Sequence, residues 1–223
     1  MIKNVPGPLD GENHANEDSR ASVIGKDRVV TVSLSALRAP SGLAASSPGP
    51  VGPVLVLQGL RYRGNVGTIF RTAVQSNVFR SIVIIAPVHD PTAKNNDRIP
   101  DSDLYYYSLM NAPLIDISRM ASVSEFLEYA RSDSEAHRPF IATSLAPGFL
   151  DMFSSEASSA LLAAGMDAFV FLGSEGGGLS NEVTGDDRCT YLRIPSMSSS
   201  INVGAAFAML VAAISKRRAE KET

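Results

Sequence analysis

Three short segments of this 223-residue chain combine glycine, asparagine and charged residues at spacings that suit ligand chemistry. The first is Gly64-Asn65-Val66-Gly67, with Arg71 one helical turn beyond Gly67. The second is Gly173-Ser174-Glu175-Gly176-Gly177-Gly178, and the third runs from Pro195 through Ser200 and Ile201 to Asn202. A phosphate loop of the Gly-x-x-x-x-Gly-Lys-Ser/Thr kind needs a lysine, and Gly173 to Leu179 has none. A dinucleotide fingerprint continuing from Gly176 and Gly178 needs glycine at position 181, which is Asn181. Glu175 stands inside the loop, where a carboxylate repels a phosphate. A ligand with positive charge and no phosphate suits the segment better. Each feature also has a plain structural reading. The loop can be a tight turn or a phosphate cradle of another form, and Arg71 a solvated arginine or half of a surface ion pair. Asn65 can be a helix N-cap, Ser200 or Asn202 can cap the last helix, and the serine run can be a linker. Taken singly, no segment outweighs that reading.

The segments acquire meaning from the elements around them. Val54-Leu55-Val56-Leu57 is an apolar run too short for a helix and reads as a buried strand. Val66, Ile69, Phe70, Ala73 and Val74 then fall along one helical face, and Ile82-Val83-Ile84-Ile85 is a second strand stopped by Pro87. Such strand–helix–strand units with continuous apolar strands point to a parallel sheet covered on both faces. Ser122 and Glu125 form a capping box for a helix with Val123, Phe126, Leu127 and Ala130 on its apolar side. Strands are expected at Phe140–Ser144, Phe169–Leu172 and Tyr191–Ile194, and helices at Ala157–Ala164, from about Ser180, and from near Asn202. The last helix is apolar around much of its circumference, which predicts burial or contact with another subunit. Residues 88–112, with Tyr105-Tyr106-Tyr107 among them, match neither period. The fold class is α/β, a mostly parallel sheet flanked by helices. All three segments follow strands, where ligands gather in open sheets of this kind.

Residues 1–52 differ in texture and read as an irregular N-terminal extension, with residues 53–223 as the main domain. Within the extension Val30, Val32, Leu34 and Ala36 alternate with polar residues as in a strand, and Ala39–Pro53 reads as a Pro/Ser/Ala-rich linker. The N-terminus lacks an apolar signal-peptide core, and its acids Asp10, Glu12, Glu17 and Asp18 speak against a transit peptide. The longest apolar run, Val203 to Ile214, is too short to span a bilayer, so no membrane partner is expected. The formal net charge of −3 neither supports nor forbids a nucleic-acid partner, since binding depends on a local face. One cysteine, Cys189, excludes an internal disulfide, and His14, His89 and His137 lack metal-ligand spacing, so no metal is expected.

Together the three segments resemble the three motifs of the SpoU family within the SPOUT methyltransferases. Asn65, Gly67, Arg71, Thr72 and Ala73 match the first motif. Gly173, Glu175, Gly178 and Leu179 match the second, and Ile194, Pro195, Ser200, Ile201, Asn202 and Val203 the third. Order and spacing agree, and the likeness covers roughly residues 54–219. The usual Asp-Pro before the first motif is here Tyr62-Arg63, Asn77 replaces a glycine, Ile201 replaces leucine, and Pro195–Ser200 is about two residues short and lacks a glycine. Asparagine tolerates the left-handed conformation that a helix-terminal glycine adopts.

The resemblance implies S-adenosylmethionine as cofactor, a ribose 2′-hydroxyl of tRNA or rRNA as methyl acceptor, a deep C-terminal trefoil knot and a homodimer. The backbone around Gly173, Gly178, Ile194, Pro195 and Ile201 would hold the cofactor. Glu175, Ser200 and Asn202 would add polar contacts, Asn65 would support the knot, and Arg71 would be catalytic. Because a guanidinium stays protonated, anchoring an RNA phosphate and stabilising a nascent alkoxide suit Arg71 better than acting as base. RNA recognition can draw on Arg61, Arg63, the three tyrosines or Lys216-Arg217-Arg218, though the tyrosines can equally be packed and the basic tail can complement its helix dipole. The rival readings are an inactive RNA-binding or assembly protein of this fold and a nucleotide-dependent α/β enzyme. The missing lysine and failed dinucleotide spacing weaken the second.

Overall fold

Strand β1 (Val54–Gln58) is buried at every residue, and its two faces feed different cores. Leu55 and Leu57 join Ile69, Phe70, Ile141, Val170, Leu161, Phe207, Leu210 and Ile214 on one side of the sheet. Val54 and Val56 join Phe126, Leu127, Phe140, Phe169, Phe171 and Val183 on the other. A strand sandwiched in this way has no solvent face, so its sequence has no polar alternation.

The computed structural model describes residues 52–85, 101–109, 111, 114–132, 134–144, 150–194 and 201–222. The expected strand at Val30–Ala36, most of the linker after it, and residues 195–200, Pro195 and Ser200 included, lie outside the described residues. The remaining strands are β2 (Ser81–Ile85), β3 (Asp116–Met120), β4 (Phe140–Ser144), β5 (Leu150–Asp151), β6 (Phe169–Leu172) and β7 (Cys189–Arg193). They form a seven-stranded sheet in the order β3-β2-β1-β6-β4-β7-β5. Every described pairing is parallel. The α/β sheet read from the apolar runs is therefore present.

Helices α1 (Arg63–Ser76), α4 (Ser158–Met166) and α6 (Val203–Glu222) cover the first face, with α6 packed on both others. Helices α3 (Val123–Ala130) and α5 (Asn181–Thr184) cover the second. The first half of the capping box is built, with Ser122 Oγ accepting from Glu125 N at 3.1 Å; the Glu125 carboxylate reaches one residue further back than expected, Oε2 accepting from Ala121 N at 2.7 Å. Asn77 ends α1 at φ 52°, the left-handed position that asparagine was expected to tolerate. The burial expected of the last helix is met within the chain, through Ala206, Phe207, Leu210, Val211 and Ile214.

Some expectations need correction. Helix α1 begins at Arg63, with Tyr62 in the capping position, so Asn65 is no N-cap and its side chain is free to reach across the molecule. Strand β7 starts at Cys189, ahead of the expected Tyr191, and α4 runs to Met166, beyond Ala164. Helix α2 (Asp101–Tyr107) and strands β3 and β5 had no counterpart in the periodicity.

Candidate active site

The carboxyl ends of β4, β6 and β7 open into one cavity of about 1150 Å³. Its wall includes Asn65 of α1, the whole Gly173–Gly178 loop after β6, Thr143 of β4, Tyr191 and Ile194 at β7, and Ile201 and Asn202 before α6. The three sequence segments thus converge. Asn65, Gly173, Glu175, Gly178, Ile194, Ile201 and Asn202 all line one space. Arg71 is not among the lining residues. It stands on α1, half-buried, with Nη2 donating to Thr68 Oγ1 at 3.4 Å. Pro195 and Ser200 lie outside the described residues.

The glycine-rich loop closes on itself. Ser174 and Gly178 exchange backbone hydrogen bonds, each at 3.0 Å, and Gly177 N donates to Ser174 Oγ at 3.0 Å. Gly178 has φ +66°, and a Cβ at Gly173 would stand 2.3 Å from the carbonyl carbon of Gly178. Both positions therefore require glycine. Three amide N–H groups are engaged inside the loop, which leaves it poorly equipped to cradle a phosphate. What it offers the cavity is the Glu175 carboxylate. Arg63 is the other charged lining residue, and its Nε is paired with Asp103 Oδ2 at 2.9 Å. Among the described lining residues, Glu175 is thus the charge without an ionic partner, and it is negative.

Glu175 is fixed by a directional chain. Its Oε1 accepts from Asn65 Nδ2 at 2.9 Å, and Asn65 Oδ1 accepts from Asn202 Nδ2 at 2.8 Å. Asn202 Oδ1 then accepts from Gly204 N at 2.9 Å and Ala205 N at 3.3 Å, capping α6. Backbone amides only donate and a carboxylate only accepts, so both asparagine amides are forced into one orientation. The capping role considered for Asn202 is real, and it is also one link in the chain that joins all three segments.

Two further residues, Tyr191 in the cavity wall and Gln58 behind it, were not singled out in the sequence. Tyr191 donates its hydroxyl to the Thr184 carbonyl, and burial pushes its phenol pKa up, keeping it a donor. Gln58, 7% exposed at the end of β1, accepts from Ser180 N at 3.3 Å and so steadies the exit of the glycine loop. A glutamine closing an apolar strand run was the one clue to it. Among the described residues no cluster of histidine, cysteine or acidic side chains is spaced to hold a metal ion.

The fold has counterparts in solved structures. The AdoMet-bound rRNA methyltransferase of Sinorhizobium meliloti is 22% identical, with a TM-score of 0.56 over 74% of this chain and 56% of that one. A protein solved in work on 2-OH methylation of C/U34 on tRNA is 22% identical, with a TM-score of 0.58 over 77% of this chain and 99% of that one. An RNA 2'-O ribose methyltransferase is 20% identical, with a TM-score of 0.58 over 81% of this chain and 62% of that one. At these identities the likeness speaks for the fold, and the chain spans little more than half the length of the Sinorhizobium protein. Comparison with curated proteins finds no match. Residues 52–212, which include every segment of the cavity wall, match the SpoU rRNA Methylase family, and the chain belongs to that family.

Proposed function

We propose that the chain transfers a methyl group from S-adenosylmethionine to a ribose 2′-hydroxyl of tRNA or rRNA. The single observation that carries this reading is the Glu175–Asn65–Asn202 chain, which ties three separated segments around one cavity in a member of this family. The residues present fit the cofactor. The cavity, about 1150 Å³, is ample for a ligand of this size, since small-molecule sites usually measure roughly 300–1,000 Å³. Its fixed carboxylate complements a ligand that is cationic at sulfur and nitrogen. When bound, the cofactor supplies an electrophilic methyl group.

The chain's own residues then have distinct tasks. The backbone at Gly173, Gly178, Ile194, Pro195 and Ile201 would hold the adenosyl part, and Ser200 would add a polar contact. Glu175 faces the cationic portion, and Asn65 and Asn202 hold it there. Arg71, outside the cavity wall, would act on RNA rather than on the donor: it would anchor a phosphate beside the target ribose and so favour negative charge on the 2′-oxygen as that hydroxyl gives its proton to water. The reading includes a deep trefoil knot near the C-terminus and a homodimer, both supported by family membership. It also takes residues 1–52 as an extension to a domain spanning 53–223.

The test is incubation of the protein with labelled donor and total RNA, followed by nucleoside mapping, alongside calorimetry of donor binding. Wild type should yield 2′-O-methylated nucleosides. Arg71→Ala should lose turnover by about 100-fold or more while binding donor nearly as wild type does. Equal loss of both would refute this division of labour. Donor binding by wild type with no label in any RNA would favour an inactive RNA-binding protein instead.

A further inference from the structure

Six tyrosines and no tryptophan make up this chain's hydroxylated and indole aromatics, and four of the tyrosines stand exposed around one part of the molecule. Tyr62 is 66% exposed and lines the cavity. Tyr105, Tyr106 and Tyr107 are consecutive in α2 and are 46, 73 and 37% exposed. Neighbouring Leu104 and Ser108 are buried and anchor the helix, so the three rings contribute little to the core. The rings of Tyr106 and Tyr107 meet edge to face at 5.2 Å. Clustered exposed aromatics of this kind mark a surface that something covers.

Two contacts fix the row beside the cavity wall. Arg63, which lines the cavity next to Tyr62, is bonded to Asp103 of α2 at 2.9 Å. Gly67 of α1 lies so close to α2 that a Cβ there would stand 2.2 Å from the carbonyl oxygen of Tyr107. Tyr106 and Tyr107 follow Asp103 by three and four residues, about 5 Å along the axis, which keeps them on its side of α2 and within a helical turn of the rim. The helix itself carries aspartates and no cation, so a phosphate backbone is not what it attracts.

We propose that the tyrosine row of α2 is a stacking platform for unpaired nucleotides flanking the one whose ribose enters the cavity. The proposal rests on the RNA methyl-transfer reading and names its substrate class: RNA whose target lies in a single-stranded loop or end. A tyrosine ring stacks on any base face, at about 1–3 kcal/mol per base, and bases offer those faces only where the duplex is open. Tyr62 stands exposed at the cavity mouth itself.

Because the chain lacks tryptophan, its intrinsic emission reports the tyrosines directly. Titration of the full chain with a short single-stranded RNA should quench that emission saturably, and the same strand annealed into a duplex should not. Tyr106→Leu and Tyr105→Leu should each weaken single-strand binding about 5- to 150-fold, matching the stacking energy of one base. Tyr106→Phe should retain it, and calorimetric donor binding should be unchanged in all three. Equal binding of duplex, or wild-type affinity in the leucine variants, would overturn the platform. So would a change in particle mass on Tyr106→Leu, since that would assign the row to contact with a second copy of the chain. Methylation of RNA by Tyr106→Leu with unchanged KM would overturn the platform and leave the methyl-transfer reading standing. Quenching by single strands in a protein that transfers no methyl group would do the reverse.

Discussion

Asn65 occupies the middle of a hydrogen-bonded chain whose direction is set at both ends, by the Glu175 carboxylate and by the backbone amides that open α6. Asn65→Asp keeps the shape and removes the donor, placing a second carboxylate against the first. Loss of a partly buried bond to a charged group costs about 1–3 kcal/mol, so donor affinity should fall roughly 5- to 150-fold, as calorimetry would show. Unchanged affinity would mean that the chain does not organise the site. The asparagine was legible in the sequence as an unusual residue, but its work was not. An N-cap needs only a neighbour in sequence, whereas Asn65 bonds residues 110 and 137 positions away. Gln58 was hidden for the same reason: its partner, Ser180 N, lies 122 positions on.

The elements that declared themselves are those whose chemistry is uniform. Val54–Leu57 and Phe169–Leu172 are apolar throughout because both faces are covered, and each is a central strand. Strand β3, Asp-Ile-Ser-Arg-Met, lies at the sheet edge and is mostly half-exposed, so its composition carries no such mark. Helix α2 is seven residues long and spends three of them on exposed tyrosines, too few turns for a helical period to show. The glycine loop stood out in the sequence by its composition, and its closure supplies a test. Gly173→Ala drives a Cβ into backbone at 2.3 Å, whereas one at Gly176 meets nothing within 4 Å. Denaturant midpoints should show Gly173→Ala destabilised by about 1–3 kcal/mol and Gly176→Ala within about 0.5 kcal/mol of wild type. The turn between α5 and β7 supplies another. Hydrogen bonds from Arg188 hold the Asp186 carboxyl below its ordinary range, and the same guanidinium reaches the Ala130 carbonyl at 2.7 Å and lies 4.1 Å from the centre of the Phe140 ring. A depressed carboxyl contributes stability above its unfolded pKa of about 3.9 and loses it as pH falls through the lower folded value. Wild type should therefore be more stable than Asp186→Asn at neutral pH, with the gap closing below about pH 4.

At the scale of the molecule, the order β3-β2-β1-β6-β4-β7-β5 could not be read from periodicity, because strands adjacent in space come from distant parts of the chain. Periodicity sees which faces are covered, and the parallel pairing follows from that; which neighbour covers which edge depends on the whole. The proposed homodimer is checked most directly by sedimentation, where the full chain should weigh twice its 23.7 kDa. The strand order also bears on how the protein comes into being. Val54 pairs with Ser81 on one side and Phe169 on the other, so one edge of the central strand is satisfied early in synthesis and the other late. A ribosome adding 5–20 residues per second needs roughly 6–23 s to cover the ~115 residues between Val54 and Phe169. Through that interval the nascent chain carries an apolar strand with an open edge, a template for pairing with the wrong partner. Production of this protein is thus exposed to aggregation during translation, and slower elongation lengthens the window.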